Sequence, residues 1–150
     1  MKTKLNSFIF TLGSFLIAII TLSGCEKENV KKLDFKLTGN IHQHNSDWEA
    51  IVANEFGSGY RIADWTDLVS FYNSGGDLLE LFDALGLTEY QNTAFVYRNG
   101  QQLYSSTRAY FASRHEHNKP PSYLAHENIN NYLISLGSWD GARKIMVIKK

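Results

Sequence analysis

The fold is decided by the stretch DWTDLVSFYNSGGDLLELFDALG, which runs from Asp64 to Gly86. Apolar residues recur there at helical spacing in two separate runs, and an aspartate, Asp64 or Asp77, precedes each run. Aspartate is a preferred helix N-cap, and glycines such as those after each run are typical of helix ends. The stretch therefore predicts two consecutive helices with the core positions Trp65, Leu68, Val69, Tyr72, Leu78, Leu81, Phe82 and Leu85.

A further helix is predicted upstream of this pair. Ser46, with Glu49 three residues later, forms a capping-box pattern that places the helix N-cap at Ser46. Gly57 predicts the end of the helix. The apolar stripe between them consists of Trp48, Ile51, Val52 and Phe56.

Strands are predicted on both sides of the helices. Apolar and polar residues alternate over 33–38, which predicts a first strand. After the helices, Asn99-Gly100 favours a two-residue hairpin turn, because both positions of that turn need positive φ. The turn predicts two apolar cross-strand pairs, Phe95 with Tyr104 and Val96 with Leu103.

The remaining strands complete the predicted fold class. They are expected over 59–62, 108–114, 132–136 and 144–148, with turns at Asn128, Asn130, Asn131 and 139–141. Helices come first and antiparallel strands follow, which indicates an α+β fold of about three helices and a mainly antiparallel twisted sheet.

The start of the chain predicts export and a lipid anchor. Lys2 and Lys4 precede a short apolar run, which is typical of a secretory signal. The run ends in Leu22-Ser23-Gly24-Cys25, which resembles the lipobox of bacterial lipoproteins, where the cysteine is acylated and becomes the mature N-terminus. The predicted organisation is a signal peptide over 1–24, a tether over 25–32 and one globular domain over 33–150. The resemblance implies attachment to the membrane through Cys25.

Charge and cysteine content narrow the location and the partners. The chain has 15 basic and 15 acidic residues, and removal of Lys2 and Lys4 with the signal peptide leaves 13 against 15. A mildly acidic chain without a clustered basic surface disfavours a nucleic-acid partner. The residues after Cys25, Glu26-Lys27-Glu28-Asn29, resemble the signal that sends some lipoproteins to the cell surface. We therefore expect a lipid-anchored protein of the bacterial outer membrane or cell surface.

A second resemblance concerns the globular part. Trp48-Glu49-Ala50 with the segment 59–68, GYRIADWTDL, resembles the "W-x-A … G-[YW]-R-L-P-T-x-x-E-L" pattern of C-type-lectin-like domains, of the sulfatase-modifying-factor and bacterial surface-lipoprotein type. The segment 110–113 is similar to their "Y-W-S-S" strand, and 144–149 to their closing strand. Ala63 replaces the usual proline, and the calcium-ligand motifs and the catalytic cysteine pair are missing. The resemblance therefore implies a scaffold and no particular activity.

Candidate chemistry is concentrated in the histidines and in one polar segment. Two His-x-His spacings occur among His42, His44, His115, His117 and His126, and with Glu116 or Glu127 they suggest a zinc site and a metal-dependent hydrolase. The segment 114–121, flanked by Tyr110, Tyr123 and Trp139, suits a sugar or peptide ligand. Its alternative is a solvated loop with local ion pairs. The predicted ligand-binding residues are Arg114, His115, His117, Asn118, Tyr123 and Trp139.

These patterns favour a binding protein over an enzyme. No nucleophile elbow or phosphate-binding glycine motif is present in the sequence. We predict no catalytic residue, no metal and no cofactor, and a lipid-anchored binding or interaction domain for a glycan or protein ligand. A metal-dependent hydrolase and a structural envelope lipoprotein are the two alternatives.

Overall fold

The computed structural model describes residues 34–88, 92–115, 125–131 and 133–150. These residues form three helices and a mostly antiparallel sheet of nine strands, which confirms the α+β class. The helices are α1 (Trp48–Phe56), α2 (Trp65–Asn73) and α3 (Leu78–Ala84), and the strands are β1 (Phe35–Leu37), β2 (His42–Gln43), β3 (Tyr60–Ile62), β4 (Ala94–Phe95), β5 (Leu103–Ser105), β6 (Arg108–Arg114), β7 (Glu127–Ile129), β8 (Ile134–Trp139) and β9 (Ala142–Lys149).

The last strand, β9, organises the sheet. The strand order is β1-β9-β4-β6-β8-β7, while β2 and β3 also pair with β9 and β5 pairs with β6. Only the β4–β9 pair is parallel among the strands of the described ranges. None of the helices in these ranges is long and apolar enough to cross a membrane.

Helices cover both faces of the sheet. Successive side chains of a strand point to opposite faces, and β9 shows this directly. Ile145 and Val147 pack with Trp48 and Val52 of α1, whereas Met146 and Ile148 pack in a larger cluster that includes side chains of α2 and α3. The sheet therefore separates two apolar cores, which explains the run of consecutive apolar residues in β9.

The first helix begins one residue later than the capping box predicts. Its N-cap is Asp47, whose Oδ1 accepts a hydrogen bond from the backbone N–H of Ala50 at 3.0 Å. The prediction of Ser46 as the N-cap is therefore wrong by one position. Both residues are good caps, and only Asp47 places Trp48 at the start of the helix with its side chain in the core.

The predicted hairpin turn is confirmed, but the predicted pairing beyond it is wrong. Asn99 and Gly100 have φ of 52° and 73°, and Arg98 and Gln101 exchange two hydrogen bonds of 3.0 Å. Farther from the turn, β4 and β5 separate, and both pair with β6. Phe95 lies opposite Phe111, and Leu103 lies opposite Ala109. The long strand β6 pairs with both arms of the hairpin, in place of the predicted direct pairing between the arms.

The strand predictions near the C-terminus need two further corrections. Asn130 and Asn131 form a turn with φ of 50° and 51°, as predicted, but Asn128 lies within β7 and not in a turn. The strand predicted over 132–136 corresponds to β8 (Ile134–Trp139). Trp139 is therefore the last residue of a strand and not part of the turn predicted over 139–141. Strands β2 and β7 are too short to show a clear alternation, and the sequence did not predict them.

One carboxylate, Asp64, fastens α2 to the hairpin turn. Its Oδ1 accepts hydrogen bonds from the backbone N–H and hydroxyl of Thr66 at 3.0 and 2.9 Å. Its Oδ2 accepts one from the backbone N–H of Gly100 at 2.8 Å. The Asp67 carboxylate accepts a hydrogen bond from the backbone N–H of Asp64 at 2.7 Å, and it accepts hydrogen bonds from both terminal nitrogens of Arg61. Asp64 thus acts as a helix cap and as a tertiary contact.

Replacing Asp64 by alanine is expected to cost about 2–3 kcal/mol of unfolding free energy, the sum of a lost cap and a lost charged hydrogen bond. The matched control is Asp77→Ala, since Asp77 caps α3 through the Glu80 N–H at 3.0 Å and is expected to cost about 1 kcal/mol. Urea denaturation at pH 7 measures both. Equal losses for the two variants would show that the Gly100 contact contributes nothing.

Candidate ligand-binding site

The structure separates the predicted site residues that it describes. Arg114 and His115 are consecutive at the end of β6 and point to opposite faces of the sheet. Arg114 forms an ion pair with Asp83 of α3. His115 lies on the other face, where its Nε2 is 2.8 Å from the hydroxyl of Ser113. The remaining loop predictions, His117, Asn118 and Tyr123, lie outside the described residues.

Trp139 is half exposed and held by its neighbours. Its ring leaves no room for a side chain at Gly141, where an added Cβ would lie 2.3 Å from the indole Nε1. The guanidinium of Arg143 lies 5.4 Å from the ring centroid and donates from Nε to the hydroxyl of Thr93 at 2.6 Å. Trp139 pairs with Ala109, whereas Tyr110 pairs with Ser138. Trp139 and Tyr110 are therefore on opposite faces and do not line one pocket.

The histidines give no cluster of metal ligands in the part of the chain that the structure describes. No group of three His, Cys, Asp or Glu side chains converges there. His42 lies in β2 opposite Arg143, and His126 lies just before β7. His126 instead joins a different group of side chains.

This group, the Tyr–His cluster, is assembled from separate segments of the chain. It draws on the residue before the hairpin turn, on β5, β6, β7 and β8, and on the residue that precedes β7. Register explains the assembly, because Tyr110 of β6 lies opposite Ser138 of β8, and β7 pairs with β8 on the far side. The members are Arg98, Tyr104, Tyr110, His126, Glu127 and Ser138.

Three rings form the centre of the Tyr–His cluster. The rings of Tyr104 and His126 lie 4.3 Å apart and are tilted by 33°. The ring of Tyr110 meets both edge-on, with centroids 5.8 Å from Tyr104 and 5.9 Å from His126. Tyr110 is buried, while 48% of Tyr104 is exposed. A buried ring thus supports an aromatic surface that faces solvent.

An ion pair borders the rings. Arg98 donates from Nε to a carboxylate oxygen of Glu127 at 2.5 Å, and its guanidinium lies 5.8 Å from the centroid of Tyr110. The neighbouring Tyr110 hydroxyl and the Glu127 carboxylate raise the pKa of Arg98. About a third of each side chain, 34% and 37%, stays exposed. Donors and acceptors are therefore available beside the exposed face of Tyr104.

The surroundings of His126 favour its neutral form. Its Nε2 lies 3.2 Å from the hydroxyl of Ser138, and its backbone N–H donates a hydrogen bond to the backbone carbonyl of Leu136. Burial lowers the pKa of His126, Arg98 and Arg108 lower it further, and the Glu127 carboxylate opposes them in part. A neutral imidazole presents one donor and one acceptor, and its tautomer decides whether Nε2 donates to the Ser138 hydroxyl or accepts from it.

No known protein family, curated protein or solved structure matches the chain. The assignment of a site therefore depends on the geometry of these side chains. Sequence patterns could not locate the Tyr–His cluster as a unit, since its members are spread from Arg98 to Ser138. The predictions did include Tyr110 and His126, but in two separate hypotheses.

The neutral state of His126 predicts a loss of stability in mild acid. Its pKa is lower in the folded protein than in the unfolded chain, so above both values the imidazole is neutral and contributes nothing. As the pH falls below the ordinary histidine value, the unfolded chain takes up a proton first and unfolding becomes more favourable. Burial lowers the pKa of His115 too, and this acts in the same direction.

Urea unfolding midpoints at pH 7.5 and pH 5.5 measure this dependence. The midpoint is expected to fall on acidification, and His126→Gln is expected to reduce that fall while leaving the contribution of His115. The reciprocal control is His115→Gln, which should remove a different part of the dependence. An unchanged fall in the His126→Gln variant would contradict the prediction.

Proposed function

We propose that the protein is a lipid-anchored binding domain of the bacterial outer membrane or cell surface, with the Tyr–His cluster as its contact site for a glycan or protein ligand. The observation that carries this proposal is the half-exposed ring of Tyr104, which lies against the tilted ring of His126 beside the Arg98–Glu127 pair. Flat aromatic surfaces with adjacent planar polar groups are common where proteins recognise ligands. The sequence around Cys25 supports the anchor.

Preorganisation is the second support. The Tyr104 ring touches two others, and Arg98 is fixed by Glu127, so little side-chain entropy is lost when a ligand binds. Leu103, Tyr104 and Trp139 are three of the five large apolar side chains that are exposed in the described residues. They lie on β5 and β8, the two strands that flank the start of β6. Leu103 and Trp139 both lie opposite Ala109, on the face away from Tyr110, so Tyr104 is the one of these three that belongs to the surface of the Tyr–His cluster.

The C-type-lectin-like scaffold is part of the same proposal. Its predicted closing strand, 144–149, lies within β9, which pairs antiparallel with β1 at the opposite end of the sequence. The predicted helices α1 and α2 both pack on the sheet. The proposed ligand contact site depends on the Tyr–His cluster and not on the scaffold.

Two screens with the purified protein, a glycan array and a pull-down of envelope proteins, are the first step of the test. The affinity of the ligand found is then measured for Tyr104→Ala. Loss of a central aromatic contact typically costs about 2 kcal/mol or more, so we expect binding at least tenfold weaker. Arg98→Ala is expected to weaken binding in the same direction.

The matched control is Tyr72→Ala in α2, outside the cluster. The prediction of Tyr72 as a core position is wrong, because 36% of it is exposed and the neighbouring Phe71 is buried instead. The Tyr72→Ala variant is expected to leave the affinity unchanged. Equal affinities of the wild-type and Tyr104→Ala proteins would exclude the cluster as the contact site. Absence of any ligand in both screens would overturn the proposed function.

A further inference from the structure

A groove lies between the start of β1, the α2–α3 connection and the outer side of α3. It has a volume of about 700 Å³. Its floor is apolar and is formed by Phe35, Phe71, Leu81 and Leu85. Phe35 and Phe71 meet edge-on at 6.0 Å, and the Phe71 ring occupies the space in which a side chain at Gly76 would lie. The floor is therefore well packed, and the groove is a defined surface feature.

The rim of the groove is acidic. Asp34, Asp77 and Glu80 line it together with a single lysine, Lys149, which gives a formal charge of −3 + 1 = −2. Asp34 accepts a hydrogen bond from Tyr60 and lies 4.0 Å from the Nζ of Lys36, which is outside the groove, and Asp77 caps α3. Within the described residues Glu80 has no ion-pair partner. The groove thus suits a segment that carries apolar side chains and a net positive charge.

The chain itself supplies such a segment immediately before Asp34. Residues 26–33 read EKENVKKL, with apolar side chains at Val30 and Leu33. Three lysines and two glutamates give a charge of +3 − 2 = +1. Asp34 is at the rim, so the segment enters the structure at the groove. Its covalent connection gives an effective concentration on the order of millimolar, which makes even a weak contact populated.

We propose that residues 26–33 dock in this groove, with Val30 and Leu33 on the apolar floor and Lys31 and Lys32 towards Asp77 and Glu80. Extended and undocked, eight residues span about 26 Å. Docking shortens that span and fixes which face of the domain lies near Cys25. The contact requires no acyl group, so it stands or falls separately from the lipid anchor.

Disulfide formation between positions 30 and 84 tests the docking in the full chain. Ala84 lines the groove and is exposed. A disulfide forms only when the two Cα atoms are about 4.4–6.8 Å apart. Docking would bring position 30 next to position 84, so the variant with Val30→Cys and Ala84→Cys is expected to bridge under mild oxidation. The control is Val30→Cys with Lys36→Cys, because Lys36 is exposed and close to Asp34 in sequence but lies outside the groove. Peptide mass mapping distinguishes these bridges from any bridge to Cys25.

The groove pair is expected to bridge at least tenfold faster than the control pair, although the control closes a much shorter loop. Equal or slower bridging at position 84 would overturn the proposal. Hydrogen exchange gives an independent measurement that needs no cysteine. The double variant Lys31→Glu, Lys32→Glu is expected to accelerate amide exchange in α3 at least threefold relative to wild type, and unchanged exchange would likewise overturn the proposal.

Discussion

Replacing Trp48 by alanine is expected to lower the unfolding free energy by about 3–5 kcal/mol, the range measured for large aromatic residues in cores. Trp48 is fully buried at the start of α1. Its ring stacks on Phe95 of β4 at 4.6 Å and lies 5.9 Å from Tyr97. The loss therefore comes from the packing of the first turn of α1 against one face of the sheet.

The indole nitrogen adds a second, separable contribution. It donates a hydrogen bond to the backbone carbonyl of Gln43 in β2 at 3.1 Å. Gln102 also holds this connection, because its side-chain amide donates to the carbonyls of His44 and Ser46 at 2.7 and 2.9 Å. Trp48→Phe keeps an aromatic ring and removes the donor. Its expected cost, about 1–3 kcal/mol, is smaller.

Urea denaturation at pH 7 measures the loss of unfolding free energy for three variants, Trp48→Ala, Trp48→Phe and a control. The matched control is Trp139→Ala, the same substitution at a ring with 45% exposure. It is expected to cost about 1 kcal/mol, since most of the buried contact is missing. Comparable losses for Trp48→Ala and Trp139→Ala would contradict the assignment of Trp48 to the core. A loss for Trp48→Phe as large as for Trp48→Ala would show that the hydrogen bond dominates.

The helices could be predicted from sequence because their signals are local. The cap residue, the apolar spacing and the terminal glycine all lie within a dozen residues of one another. Asp64 and Asp77 cap α2 and α3 as predicted, and Gly57, Gly75 and Gly86 adopt positive φ where each helix ends. Even the error at Ser46 is a shift of one residue between two competent caps.

Strand pairing was less predictable because it depends on distant segments. The turn at Asn99-Gly100 is local and was found, but its two arms continue onto β6, which begins several residues later. Phe95 has Phe111 and Ile145 as neighbours on the same face, so a buried three-strand contact replaces the predicted Phe95–Tyr104 pair. Tyr104 is instead released to the surface, where it joins the Tyr–His cluster.

The candidate site illustrates the same limit. A polar run such as 114–121 looks like a site in sequence, yet strand alternation sends Arg114 and His115 to opposite faces. The Tyr–His cluster has no linear signature, because Arg98, Tyr104, His126 and Ser138 meet only through the pairing of β5, β6, β7 and β8. Single residues can be suspected from their chemistry, but their partners follow from sheet register.

Replacing Cys25 by alanine is expected to move the protein from the membrane fraction to the soluble fraction. The prediction follows from Leu22-Ser23-Gly24-Cys25, because a thioether at Cys25 is the proposed attachment point. Burial of an acyl chain is worth about 0.8 kcal/mol per CH₂, and two chains give stable anchoring where one gives only reversible binding. Loss of all chains should therefore abolish the association of a chain that no longer carries residues 1–24, not merely weaken it.

Fractionation of cells that express each variant, together with the intact mass of the protein, measures this outcome. Ser23→Ala is the matched control, since it changes the adjacent small residue and keeps the thiol; it is expected to stay with the membrane and to carry the added acyl mass. An uncleaved Cys25→Ala chain held by its apolar run over 8–22 would also sediment, but its mass would include residues 1–24. Wild-type protein in the membrane with no mass added at Cys25 would refute lipidation. Because every member of the Tyr–His cluster, from Arg98 to Ser138, is distant in sequence from Cys25, ligand binding by the released Cys25→Ala protein should persist, which separates anchoring from recognition.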